Sequence, residues 1–309
     1  MQGGKPLASP AALQAAQHSL KSLKLSFLGL GMMAQHFLKP LLDDNLVTPE
    51  NVIGTQYTDE YVKTVQRDFP SITVTKDNRM AAREADIILL GFKPNDLESI
   101  SQEIDGGLKK DAVVISMLAA VPTNRLAHSL QHKAVCRCMP NTPVKIRQGF
   151  IPYYVTPDVG TENALVCDRL FSALGESMLL PKEHHLDIST AISGSSPAYF
   201  FLIMEALTDA GVHCGLPRRS AEIMAMRSMQ GSVNFALSQH GKANFAELKA
   251  AVTSPGGTTA SALHQAEKHG LRHTISEIVW ACYRRSLEIA TQKNKVYGPG
   301  HWEPQNTTE

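Results

Sequence analysis

The sequence has no apolar run long enough to cross a membrane. It has little net charge either: 30 basic residues face 29 acidic ones, a formal net charge of +1. That balance argues against a nucleic-acid surface or an anionic membrane as partner. There is no internal repeat and no low-complexity segment. The five cysteines (Cys136, Cys138, Cys167, Cys214 and Cys282) show neither zinc spacing nor C-x-x-C, and they read as buried free thiols of a reducing compartment. Cys136 and Cys138, on one expected strand, share a face. The i, i+4 pairs His128/His132 and His269/His273 lack a third ligand, so no metal is expected. Residues 1–23 hold no acidic residue and no arginine. They read as an extension, a frayed tail with a short helix over Pro10–Ser19. This makes a cytoplasmic location the expectation and leaves mitochondrial targeting by the extension open. With 309 residues, 43% of them hydrophobic, the chain can bury a sizeable core in two domains.

The organising stretch is KLSFLGLGMMAQHFLKPLL, Lys24 to Leu42. Leu25, Phe27 and Leu28 read as a buried strand. Gly29, Gly31 and Ala34 follow as G-x-G-x-x-A. Met33, Phe37, Leu38, Leu41 and Leu42 then recur at helical spacing. Strand, glycine turn and helix in that order are the context of a dinucleotide fingerprint. Gly29 permits the tight turn, Gly31 lets a pyrophosphate approach the backbone, and Ala34 lets the helix lie close to its strand. The free N–H groups of the helix start face the phosphates.

Downstream, strands are expected at Val52–Gln56, Ile72–Thr75, Ala85–Phe92, Ala112–Met117 and Ala134–Arg137, alternating with helices; Gly149–Thr156 and Ser177–Leu180 extend the sheet. The character changes near Pro181. From Glu183 on, only helices are expected: Pro197–Val212, Pro217–Gln239, Phe245–Val252, Thr259–His269 and Leu271–Gln292. The fold class is therefore α/β, an N-terminal Rossmann-type doubly wound parallel sheet over 24–181 and a C-terminal all-α domain over 182–297, with a tail over 298–309. Runs such as Tyr199 to Met204 make helices apolar nearly all round, which implies a subunit interface and a homo-oligomer, at least a dimer.

NAD-binding folds place an acid after the second strand to hold the ribose 2′-OH. Here Thr55 and Thr58 stand in that region and the first acid is Asp59, so NADPH is expected ahead of NADH, which stays possible. A second signature, TSPGGTT at Thr253–Thr259, lies between helices. Ser254 reads as an N-cap and Pro255 as the first helical residue. Gly256 and Gly257 leave amides uncovered for a carboxylate or phosphate.

These motifs resemble those of the pyrroline-5-carboxylate reductase family: FLGLGMMA, GFKP at Gly91–Pro94, RCMPNTP at Arg137–Pro143, SGSSPAYF at Ser193–Phe200 and TSPGGTT, in the family's order. The resemblance implies an NADPH-binding domain, a helical domain that dimerises, and reduction of the cyclic imine 1-pyrroline-5-carboxylate to proline. It implies that Leu30, Met32 and Met33 contact the pyrophosphate, Thr55 the 2′-phosphate, Asn78 the adenosine ribose, Lys93 and Pro94 the nicotinamide side, and Met139 and Asn141 the nicotinamide pocket. Ser254, Gly256, Gly257 and Thr258 would hold the substrate carboxylate, and Thr259, the candidate catalytic residue, the ring nitrogen. Ser196 and Ala120 stand where the family has glycine, so the substrate is expected to be the family's imine or a ring-substituted relative. A β-hydroxyacid dehydrogenase would carry a lysine soon after the helical domain begins, yet none lies between Lys182 and Lys242. A non-catalytic NADP-sensing scaffold predicts a degraded second signature, and TSPGGTT is intact.

Overall fold

The computed structural model describes residues 20–291. The expected helix over Pro10–Ser19 and the tail from Gly298 lie outside the described residues. In chain order the elements are β1 (Leu25–Leu28), α1 (Met32–Asp43), β2 (Val52–Thr55), α2 (Asp59–Asp68), β3 (Thr73–Thr75), α3 (Asn78–Arg83) and β4 (Ile87–Leu90). Then come α4 (Leu97–Glu103), β5 (Val113–Ser116), α5 (Thr123–Leu130), β6 (Val135–Cys138), β7 (Gly149–Val155), α6 (Gly160–Ser172), β8 (Gly175–Leu179) and α7 (His185–Ser189). The chain continues as α8 (Ser196–His213), α9 (Arg218–Ser238), α10 (Phe245–Ala251), α11 (Thr258–Lys268) and α12 (Leu271–Thr291).

The strands form one sheet in the order β3-β2-β1-β4-β5-β6-β7-β8. The reversal of direction beside β1 is the switch point at which doubly wound folds bind ligands. β1, β4, β5 and β6 are buried on both faces, as central strands covered by helices on both sides are. One face packs on α1, with the Phe37 ring edge-on to Phe27 and Phe171 at centroid distances of 6.3 and 6.0 Å. The other face is built on Leu28, Ile88, Leu90, Val114 and Leu126.

Several expectations need correction. The sheet is not parallel throughout, because β7 runs antiparallel to β6. Residues 139–148 join them through one 3-10 turn, Thr142–Ile146, too short for the crossover a parallel neighbour needs. The helix α6, absent from the sequence reading, supplies the next crossover and makes β8 parallel to β7; it buries Ala164, Val166, Cys167, Leu170 and Phe171. The extension is not frayed to its end: Leu20 is fully buried in the core, and the Lys21 carbonyl accepts from Thr48 Oγ1 at 2.8 Å. Of the cysteines, Cys136, Cys138 and Cys167 are buried, but Cys214 is exposed and Cys282 half-buried. The histidine pairs also separate. His132 lies past the end of α5, its Nε2 at 2.7 Å from the Ala112 carbonyl, and His269 and His273 straddle the break between α11 and α12.

Two compact units emerge, residues 20–190 with 283–291, and residues 191–282. The division falls after the 181/182 boundary expected from the sequence, for an electrostatic reason. Arg137 on β6 is 2% exposed; its guanidinium donates to Glu183 at 3.0 Å and to Asp187 at 2.7 Å. A buried cation needs both partners, so 183–190 stay with the sheet. In the helical unit, α8 and α9 bury few residues: Ser196 and Thr208 on α8, Ala221 and Ala225 on α9. Phe200, Phe201, Leu202, Met224, Phe235 and Leu237 are exposed. No described helix is long and apolar enough to cross a membrane.

Candidate active site

The turn after β1 has two glycines with different causes. Gly29 sits at φ +81°, and a Cβ there would meet the Phe92 backbone nitrogen at 2.8 Å. The protein itself demands that glycine. At Gly31 the nearest atom to an added Cβ is the Gly91 carbonyl oxygen at 3.9 Å, so the space in front of Gly31 is left to a ligand. Gly31 is the N-cap of α1 and no side chain caps the helix. The amides of Met32, Met33 and Ala34, which have no carbonyl one turn back, therefore remain for an anion. Ala34 is buried, and a Cβ on Gly91 would sit 3.0 Å from its methyl, so small residues on both sides bring α1 against the sheet. These features fit a dinucleotide pyrophosphate.

Two residues expected to touch the cofactor are already engaged. Leu30 is fully buried. Its amide donates to the Thr55 carbonyl at 2.8 Å, and its carbonyl accepts from Gln35 and Gln56 side chains at 3.0 and 2.6 Å. No polar group of Leu30 is free for a pyrophosphate. Thr55 is 2% exposed, and its hydroxyl accepts from the Gly29 amide at 2.9 Å. It braces the turn and does not reach out to a 2′-phosphate. Thr58 caps α2 through the Tyr61 amide.

The other expected residues lie after the carboxyl ends of β3, β4 and β6. Asn78 opens α3, with its side-chain amide donating to Glu103 at 2.6 Å. Lys93 is exposed, and Pro94 starts a 3-10 turn. Met139 is 9% exposed, and its amide donates to the Pro152 carbonyl. Asn141 is buried and accepts from the Phe150 amide at 3.0 Å; it ties the 139–148 connection to β7. The loop after β5 is fixed by Glu183, which accepts from the Thr123 amide at 2.6 Å and its hydroxyl at 2.7 Å. On that loop Ala120 is 1% exposed and sits at φ +60°. The alanine holds a glycine-like conformation with its methyl buried.

The TSPGGTT loop lies in the helical unit, and its local geometry revises the expected capping. Ser254, Pro255 and Gly256 form a turn in which the Gly257 amide donates to the Ser254 carbonyl at 3.0 Å. Gly256 has φ +69°, and proline followed by a left-handed glycine is the pattern of a type II turn. The N-cap of α11 is Gly257, and Thr258 is its first residue. A Cβ on Gly257 would fall 2.5 Å from Ser254 Oγ and 3.1 Å from its carbonyl oxygen. The positive φ of Gly256 favours glycine there, and Ser254 crowds the place of a Cβ at Gly257. What the loop offers is a helix start with no side-chain cap, the amides of Thr258, Thr259 and Ala260, and two threonine hydroxyls. In the same unit a π-helical turn, Thr190–Gly194, leads into α8. There Cys282 Sγ donates to Ser195 Oγ at 3.3 Å, and burial, with the Cys282 contact next, pushes the Tyr199 phenol up to about 12.

The sequence reading missed Gln35, Gln56 and Glu183. They are ordinary polar residues whose partners lie elsewhere in the chain, backbone carbonyls for the glutamines and the Thr123 and Arg137 groups for Glu183, and spacing carries no trace of such pairings.

Sheet order, switch point, glycine turn and uncapped helix start define a Rossmann-type dinucleotide-binding protein with a helical second unit. A family model described as NADP oxidoreductase, coenzyme F420-dependent, matches residues 24–120, and one described as pyrroline-5-carboxylate reductase dimerisation matches residues 183–289. The chain belongs to the pyrroline-5-carboxylate reductase family. It is 33% identical to the pyrroline-5-carboxylate reductase of Pseudomonas aeruginosa over 270 residues, covering 87% of this chain and 97% of that one. It is 34% identical to that of Synechocystis over 268 residues, 87% and 98% of the two. Among solved structures, the Plasmodium falciparum pyrroline carboxylate reductase with NADP bound superposes with a TM-score of 0.79 at 27% identity, covering 88% of this chain and 99% of the other. The chain is an NADP-dependent oxidoreductase of this type.

Proposed function

We propose that the protein reduces 1-pyrroline-5-carboxylate to proline with NADPH. The observation that carries this is the open, uncapped helix start at Gly31 in a chain matched along most of its length by reductases of this imine. The amides of Met32, Met33 and Ala34 hold the pyrophosphate, with Gly31 leaving room for it. Lys93 and Pro94 border the nicotinamide side, Met139 helps wall that pocket, and Asn78 stands by the adenosine ribose. Ser254, Gly256, Gly257 and Thr258 form the turn that takes the substrate carboxylate on the first amides of α11. Thr259 hydrogen-bonds the ring nitrogen.

When bound, the cofactor supplies the hydride. A protonated cyclic imine is already electrophilic, so the chain's work is to orient the ring and exclude water. Of the two departures behind the substituted-ring alternative, the Ala120 methyl is buried and leaves its loop in a glycine-like path, and Ser196 is buried at the start of α8; neither by itself calls for a ring substituent. We assign the unsubstituted imine. The exposed apolar faces of α8 and α9 support a homodimer through the helical unit. Following NADPH oxidation with 1-pyrroline-5-carboxylate as the sole acceptor, and recovering proline as product, tests the assignment.

A further inference from the structure

With Thr55 turned into the β1 turn, cofactor choice must lie elsewhere at the carboxyl end of β2 and β3. The two strands pair in parallel with Thr55 opposite Thr75, and the Gln56 amide donates to the Thr75 carbonyl at 2.9 Å. Lys76 follows directly after the end of β3. Its ammonium sits 2.8 Å from Asp59 Oδ1, with the two side chains 51% and 76% exposed. Asp59 opens α2 beside its cap Thr58, four residues past the end of β2 and beyond the strand-end position at which an acid would take a ribose 2′-OH. The Lys76 hydrogen bond holds the Asp59 carboxyl below its usual range, and Lys63 adds to this. Two cations therefore surround one exposed carboxylate. Nearby in the chain Tyr57 and Tyr61 are exposed, with ring centroids 5.1 Å apart and ring planes 40° to each other, and either ring face is open to a purine.

We propose that Lys76 selects NADPH over NADH by taking the cofactor's 2′-phosphate in place of the Asp59 carboxylate it now holds. The Asp59 oxygen marks the position of the incoming phosphate oxygen. An exposed ion pair contributes little to stability, so exchanging a carboxylate for a phosphate of higher charge costs little and gains a stronger charge-assisted hydrogen bond. NADH has no such group and leaves the Lys76–Asp59 pair undisturbed. Asp59 is then a built-in competitor that moderates NADPH affinity. The inference rests on the NADP reading above.

The test is direct binding, measured by nicotinamide fluorescence with NADPH and NADH on the full chain, Lys76→Gln, Asp59→Asn and a control, Lys39→Gln. Lys39 carries the same charge but pairs with Asp43 in the last turn of α1. Lys76→Gln should weaken NADPH by roughly tenfold, the scale of one charge-assisted contact, and leave NADH unchanged. Asp59→Asn should tighten NADPH severalfold and spare NADH, and Lys39→Gln should move neither. If the unmodified protein prefers NADPH and Lys76→Gln keeps that preference, or weakens both nucleotides alike, the role of Lys76 is overturned while the cofactor reading stands. If the unmodified protein binds neither nucleotide, the cofactor reading falls and takes this inference with it.

Discussion

The hydroxyl of Thr55 accepts the amide hydrogen of Gly29 at 2.9 Å. The bond joins the end of β2, where Thr55 is 2% exposed, to the half-buried first glycine of the cofactor turn. Thr55→Val removes the acceptor at nearly constant volume and leaves the half-buried Gly29 N–H without this partner. The expected cost is about 1–3 kcal/mol, seen as a lower denaturation midpoint. NADPH and NADH affinity should fall together, because the turn serves both. Thr55→Ser should restore both. A loss confined to NADPH would mean that the hydroxyl meets the 2′-phosphate after all.

Ala120 occupies a left-handed conformation that costs a non-glycine residue roughly 1–2 kcal/mol. Ala120→Gly relieves this but loses a buried methyl, about 0.8 kcal/mol, and gives the unfolded chain more freedom. The net change should be within about 1 kcal/mol. Ala120→Val adds β-branching in a buried, left-handed position and should cost more than about 2 kcal/mol. Urea melts of the two variants distinguish these outcomes. Equal stability of Ala120→Val and the parent would contradict the positive φ.

The legibility of the chain followed the reach of each interaction. β1, its glycine turn and α1 are specified by contiguous residues, and they stand where the sequence pattern predicts. The direction of β7 depends on the path of residues 139–148, which no periodicity records. α6 escaped because Glu162, Asp168 and Arg169 interrupt its apolar pattern, while its inward face is the cysteine- and phenylalanine-bearing stripe at Ala164, Cys167 and Phe171. Thr55 and Leu30 were assigned to the ligand by position, but their side chains face inward, a matter of strand parity and turn geometry. The glycines of TSPGGTT are legible as unusual; that Ser254 crowds the second one is not.

Arg137 binds two carboxylates from within the sheet, and Glu183 uses both its oxygens on Thr123 as well. Arg137→Met would leave Glu183 and Asp187 facing one another without a cation. The expected loss is about 3–5 kcal/mol, large enough to unfold much of the protein at 37 °C. Thermal denaturation of Arg137→Met beside Arg137→Lys measures it. Lysine should recover only part, because a single ammonium does not reproduce the guanidinium fork.

The uncovered apolar faces of α8 and α9 predict a stable dimer at micromolar concentration. Leu202→Glu with Phe235→Glu, both at exposed positions, should shift native mass towards the 33.7 kDa chain without altering NADPH affinity, since the cofactor turn lies in the other unit. Unchanged mass for this double variant would place the subunit contact on another surface.

Reduction of 1-pyrroline-5-carboxylate with NADPH in this chain rests on capture of the substrate carboxylate at the start of α11. The most direct measurement is steady-state NADPH oxidation with 1-pyrroline-5-carboxylate and with 1-pyrroline, which lacks the acid, at one cofactor concentration. A charge-assisted contact of roughly 1.5–3 kcal/mol corresponds to about one to two decades in kcat/KM. The account predicts that the carboxylated imine is the better substrate by that margin and that proline accumulates in step with NADPH consumed. Equal turnover of the two imines, or no turnover of 1-pyrroline-5-carboxylate by protein that binds NADPH, would contradict it.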